Sequence, residues 1–78
     1  MTHVPHELAD EFPEFREKLH ALKTSNEHFA HRAEQYHTVN REIHRIEAGV
    51  EAADDPRLED LKKHRLALKD EIAEMLHR

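Results

Sequence analysis

From Phe29 to Ile46 the apolar residues fall alternately three and four apart: Phe29, Ala33, Tyr36, Val39, Ile43 and Ile46. The same spacing returns in Leu58, Leu61, Leu68, Ile72 and Met75. A helix turns by about 100° per residue, so this repeat lines the side chains along one stripe, whereas a strand needs alternation by twos. Two long amphipathic helices are therefore predicted, over about residues 26–48 and 56–77. Between the runs lies the only glycine of the chain, Gly49, placed where a helix end needs positive φ. Asp55 and Pro56 supply an N-cap and a first helical residue for the second run. A turn over 49–55 is short enough to bring that run back antiparallel to the first.

Register follows from the turn. With its apex near residue 52, Ile46 faces Leu58, Ile43 faces Leu61, Tyr36 faces Leu68, Ala33 approaches Ile72, and Phe29 lies beside Met75. The Tyr36 hydroxyl is expected to reach water. One level breaks the apolar rule, because Arg65 occupies a seam position opposite Val39 and Asn40. The plainer reading packs the Arg65 stem and lets its guanidinium bond Asn40 or a nearby carboxylate such as Glu42, so that Asn40 and Arg65 set register at some cost in stability. The sharper reading is a buried arginine that binds a ligand.

Upstream, Phe12, Phe15, Leu19 and Leu22 recur at three, four and three behind Pro13, which predicts a shorter helix over about 13–23. Thr24 with Glu27 forms a capping box for the next helix, so the chain should bend there. Residues 1–11 are polar and acidic and read as a loosely ordered arm in which Pro5 could open one helical turn. The domain reading is thus an arm over 1–11 and one helical domain over 12–78.

With 78 residues, 37% charged and 37% apolar, the chain has room for one thin domain and a composition that suits helices rather than sheets. The fold expected is all-α: a short N-terminal helix, then a long antiparallel coiled-coil-like hairpin assembling into an oligomeric bundle. The absence of cysteine removes disulfides and thiolate metal sites. No apolar run reaches membrane-spanning length and the N-terminus carries no leader pattern, so a cytoplasmic protein without a membrane is expected. A net charge of −5 repels phosphate and argues against nucleic acid. The one basic concentration (Arg57, Lys62, Lys63, Arg65, Lys69) is interleaved with Glu59, Asp60, Asp70 and Glu71.

Phe12-Pro13-Glu14-Phe15, Leu22-Lys23, His28-Phe29, Glu42-Ile43-His44-Arg45, Leu66-Ala67-Leu68-Lys69-Asp70-Glu71-Ile72 and Met75-Leu76 together resemble the YdcH-like family of short bacterial proteins. The likeness runs from Phe12 to Leu76. It implies a short helix followed by a helical hairpin in a bacterial cytoplasm, and it brings no activity and no catalytic residue to place on this chain.

Nine histidines invite a metal test. Glu-x-x-His pairs occur at Glu17 and His20, Glu34 and His37, and Glu74 and His77, while His28 with His31 and His37 with His44 share faces by spacing. None of these has a third and fourth ligand by sequence, so no metal and no cofactor is assigned. Catalysis is not expected either, since a chain this thin gives little means of enclosing a cleft that excludes water.

The hairpin seam alone buries little, and two further stripes need cover. One is Phe12, Phe15, Leu19 and Leu22; the other is Leu66, Ala73 and Leu76 on the last helix. They are expected to cover each other, within one chain or between chains, so Phe12, Phe15, Leu19, Leu22, Leu66 and Leu76 form the candidate partner- or self-association face. The leading expectation is a non-catalytic protein-protein interaction module, homo-oligomeric and with an unidentified protein partner. The alternative is a histidine-rich, metal-linked or pH-responsive binding protein.

Overall fold

The computed structural model describes residues 6–78. Its elements are α1 (Leu8–Glu11), a 3-10 turn (Pro13–Phe15), α2 (Arg16–Ser25), α3 (Glu27–Glu47) and α4 (Asp55–Leu76), with no strand among the described residues. Pro5, expected to open a first turn, lies outside them.

Helix boundaries follow local chemistry, and two differ from expectation. The N-cap of α3 is Asn26, whose side chain accepts from the Phe29 amide at 3.0 Å. The Thr24 hydroxyl instead donates backwards to the Ala21 carbonyl at 2.9 Å, as does Ser25 at 2.7 Å. Both residues still belong to the last turn of α2, where a hydroxyl meets the preceding carbonyls, while Asn26 has the extended backbone that a cap requires. At α4 the cap is Asp54, accepting from the Arg57 amide at 3.0 Å. Asp55 is the first helical residue, where its charge favours the positive end of the helix dipole.

Gly49 ends α3 as expected, with φ +78°. Its amide donates to the Ile46 carbonyl at 3.1 Å and the Val50 amide to the Arg45 carbonyl at 3.0 Å. This is the paired reverse bonding of a Schellman motif, which satisfies carbonyls that the helix end would leave bare.

α3 and α4 form an antiparallel hairpin. Polar contacts join them along their length: Arg32 with Glu71 at 3.0 Å, Arg65 with Asn40 at 2.9 Å and, toward the turn, Arg57 with Glu42 and Lys62 with Glu47 at 3.3 Å. The pairs of Arg65 with Asn40 and of Arg32 with Glu71 match the register expected from the seam, while the long side chains of Arg57 and Lys62 reach past the residues opposite them. Phe29, Ala33, Tyr36, Val39 and Ile43 of α3 are buried with Leu68, Ile72 and Met75 of α4. Ile46, Leu58 and Leu61, nearest the turn, are only half-buried.

The N-terminal elements close over the open end of the hairpin. Leu8, Phe12 and Leu19 join the same buried cluster as Phe29 and Ile72, with Phe15 and Leu22 packed at its edge. Lys18 Nζ donates to the carbonyls of Leu76 at 2.6 Å and Arg78 at 3.2 Å, which places a cation at the negative end of α4. Residues 6–11, read in sequence as part of an arm, thus contribute a helical turn and a buried leucine.

Candidate interaction surface

The six residues of the candidate association face divide. Phe12, Leu19 and Leu76 are buried inside the single chain, and Phe15 and Leu22 are partly buried against the same core. The two apolar stripes therefore meet within one molecule. Phe15 also meets the last turn directly, its ring edge-on to His77 with centroids 5.0 Å apart. Leu66 stays outside, 58% exposed, and the Val50 side chain at the turn is 77% exposed. What faces solvent is the outer side of α4 around Leu66, exposed Ala67 and half-buried Ala73, together with the half-buried turn end of the hairpin.

The polar seam residues bond to each other. Asn40 is 1% exposed and accepts from Arg65 Nη1 at 2.9 Å. Glu42, named in sequence as a further partner for Arg65, pairs with Arg57 instead, about two helical turns nearer the hairpin bend than Arg65.

Four of the described histidines are drawn into separate contacts. His37 Nδ1 lies 2.5 Å from Glu7 Oε2, His6 Nδ1 is 3.3 Å from Glu11, and His28 Nε2 is 3.4 Å from Glu71. Of the Glu-x-x-His pairs, Glu34 is exposed while His37 turns to Glu7, and Glu74 pairs with Arg78 at 3.5 Å while His77 meets Phe15 edge-on. Among the described residues no three His, Asp or Glu side chains gather as a metal site would need. The depressions on the surface are open, one lined by Lys23, Ala30, Ala33, Glu34 and His37, another by His31, Gln35, Thr38, Val39 and His64. No helix of the described residues is long and apolar enough to cross a membrane.

Residues 29–76, more than half of the chain, match the family described as Protein of unknown function (DUF465). The chain belongs to the DUF465 family. No curated protein and no solved structure matches it. The region shared with DUF465 is the hairpin, from Phe29 of α3 to Leu76 at the end of α4. Residues 6–25, which cap this hairpin, lie outside the match.

Sequence reasoning missed the contacts that seat this cap. The Tyr36 hydroxyl, expected in water, donates to the His6 carbonyl at 2.5 Å, and Tyr36 is 0% exposed. Burial, and secondarily the negative charge of Glu11, pushes its phenol up to about 12. Glu11 also reaches Lys69 at 3.2 Å. The one available signal was Leu8, four residues before Phe12, a spacing that extends the apolar stripe backwards.

Proposed function

We propose that this DUF465 chain is a non-catalytic protein-protein interaction module of the YdcH-like kind, self-associating and acting in a bacterial cytoplasm. The observation that carries the reading is the apolar surface left uncovered after the chain has folded. Leu66 stands out from the face of α4, and Ile46, Leu58 and Leu61 are half-open beside an exposed Val50. Its polar residues support the same reading. Asn40 and Arg65, Tyr36, and the cross-hairpin ion pairs bond one element to another rather than converging on a common point. Helical packing on the outer side of α4 would bury Leu66 against a partner helix while Lys63 and Asp70, both exposed beside it, stay at the rim.

Sedimentation at micromolar concentration should give a mass above one chain, and Leu66→Glu should lower it without loss of helical circular dichroism. A wild-type mass of one chain, with a cooperative thermal transition, would defeat self-association. Native pull-down should then recover one protein in stoichiometric amount, which Leu66→Glu releases; recovery that ignores Leu66 would defeat this face as the docking site.

A second reading, a pH-responsive or metal-linked protein, is favoured by one observation. Two imidazoles, His37 on Glu7 and His6 on Glu11, sit among the contacts that fasten the N-terminal segment. Mass and stability that stay flat on mild acidification and with added zinc remove it.

A further inference from the structure

One residue separates α2 from α3. Asn26 stands in extended backbone, φ −129° and ψ 106°, between Ser25 and Glu27. Its side chain maintains the break by capping the Phe29 amide. Rotation of Asn26 into helical φ and ψ would join the two helices into one over residues 16–47, about 48 Å long. That motion would lift residues 6–25 off the hairpin.

The face they would leave has a defined chemistry. It takes Leu8, Phe12 and Leu19 as buried side chains. Tyr36 donates to the His6 carbonyl, His37 meets Glu7 at 2.5 Å, Lys69 meets Glu11 at 3.2 Å, and the carbonyls of Leu76 and Arg78 receive Lys18. Each of these polar contacts crosses the hinge, from residues 6–25 on one side to residues 36–78 on the other. The whole set can therefore be made equally well between two chains. The DUF465 match begins at Phe29, three residues beyond Asn26, so the hinge also divides the cap from the family's hairpin.

We infer that the open end of the hairpin is a helix-binding surface whose intermolecular occupant is residues 6–25 of a second copy, in a reciprocal dimer hinged at Asn26. This rests on the self-association proposed above and gives it a second surface, apart from the outer face of α4, with a named occupant. Because closed monomer and exchanged dimer share their contacts, the hinge decides between them. The monomer gains the Asn26 cap; the dimer gains a continuous helix and is favoured by concentration.

Asn26→Ala removes the cap and favours helix, at two hinges per dimer, so the dimer dissociation constant should fall on the order of tenfold or more. Asn26→Asp keeps a capping side chain and should behave as the wild type. The chain has no cysteine, so Glu11→Cys in one chain and Lys69→Cys in another report exchange directly. Refolded together in the Asn26→Ala background, these two variants should be joined into a mixed dimer by a bismaleimide cross-linker long enough to replace the ion pair of Lys69 with Glu11. An Asn26→Ala chain that stays at one-chain mass at its highest soluble concentration overturns the inference. So does a dimer in which the two cysteine variants never cross-link. Leu66→Glu, which tests the outer face of α4, should leave the yield of the cross-linked mixed dimer unchanged, so failure of that face and failure of exchange are told apart.

Discussion

The two ends of the α3-α4 hairpin carry the same apolar repeat and end up in different environments. From the open end as far as Ile43, the seam residues Phe29, Tyr36, Ile43 and Ile72 have no exposed surface. At the turn end Ile46, Leu58 and Leu61 are half-buried and Val50 is almost fully out. The repeat does not explain the difference, since both ends have it. A two-helix seam buries one side of each side chain, and only a third layer removes the rest from water. α1, the 3-10 turn and α2 supply that layer over the open end and the middle of the hairpin, through Leu8, Phe12 and Leu19 and the contacts to Tyr36, His37 and Lys69. Stability should therefore be graded along the hairpin, high beneath the cap and low at the turn.

The largest test of this gradient is a pair of truncations. Ile72→Ala, beneath the cap, should cost about 2–5 kcal/mol, and Leu58→Ala or Leu61→Ala about half of that or less, by chemical denaturation. Equal costs would break the comparison. Asn40→Ala, near the middle, should cost about 1–3 kcal/mol because it leaves the Arg65 guanidinium without its acceptor at a half-buried position. A double-mutant cycle with Arg65→Ala should recover part of that cost if the two groups act as a pair.

Tyr36 probes the seal between cap and hairpin. Its phenol is raised from 10.0 to about 12, so the folded state favours the neutral form. The stability this provides is fully present below about pH 10 and is lost as pH climbs through about 12. As the single tyrosine, it should show its tyrosinate absorbance only as alkaline unfolding sets in. Tyr36→Phe should cost about 1 kcal/mol and speed amide exchange in residues 8–12 more than in α4. The smallest effect is expected at the turn. Gly49→Ala meets no neighbouring atom and is opposed only by the positive φ, a cost of about 1 kcal/mol.

Much of the hairpin was legible because helical period is a local property. The three-four spacing located both helices, Gly49 marked the end of the first, and the shortness of the turn dictated the register that Arg65 with Asn40 and Arg32 with Glu71 display. Caps were less legible. Thr24, Asn26 and Asp54 or Asp55 can each cap by type, and backbone conformation decides which does. The seating of the N-terminal segment was the least legible, because it depends on the Tyr36 hydroxyl finding a backbone carbonyl and on Lys18 finding the end of a helix. Neither contact leaves a periodic trace. Of the candidate association face, the sequence located the apolar residues without separating Leu66, which stays exposed, from Leu19 and Leu76, which do not.

Residue-resolved hydrogen exchange under native conditions measures the graded seal most directly. Amides of α3 and α4 beneath the cap, around Tyr36 and Ile72, should be the slowest in the molecule, and protection should fall toward Ile46 and Leu58. Uniform protection along both helices, or slower exchange at the turn end than beneath the cap, would contradict it.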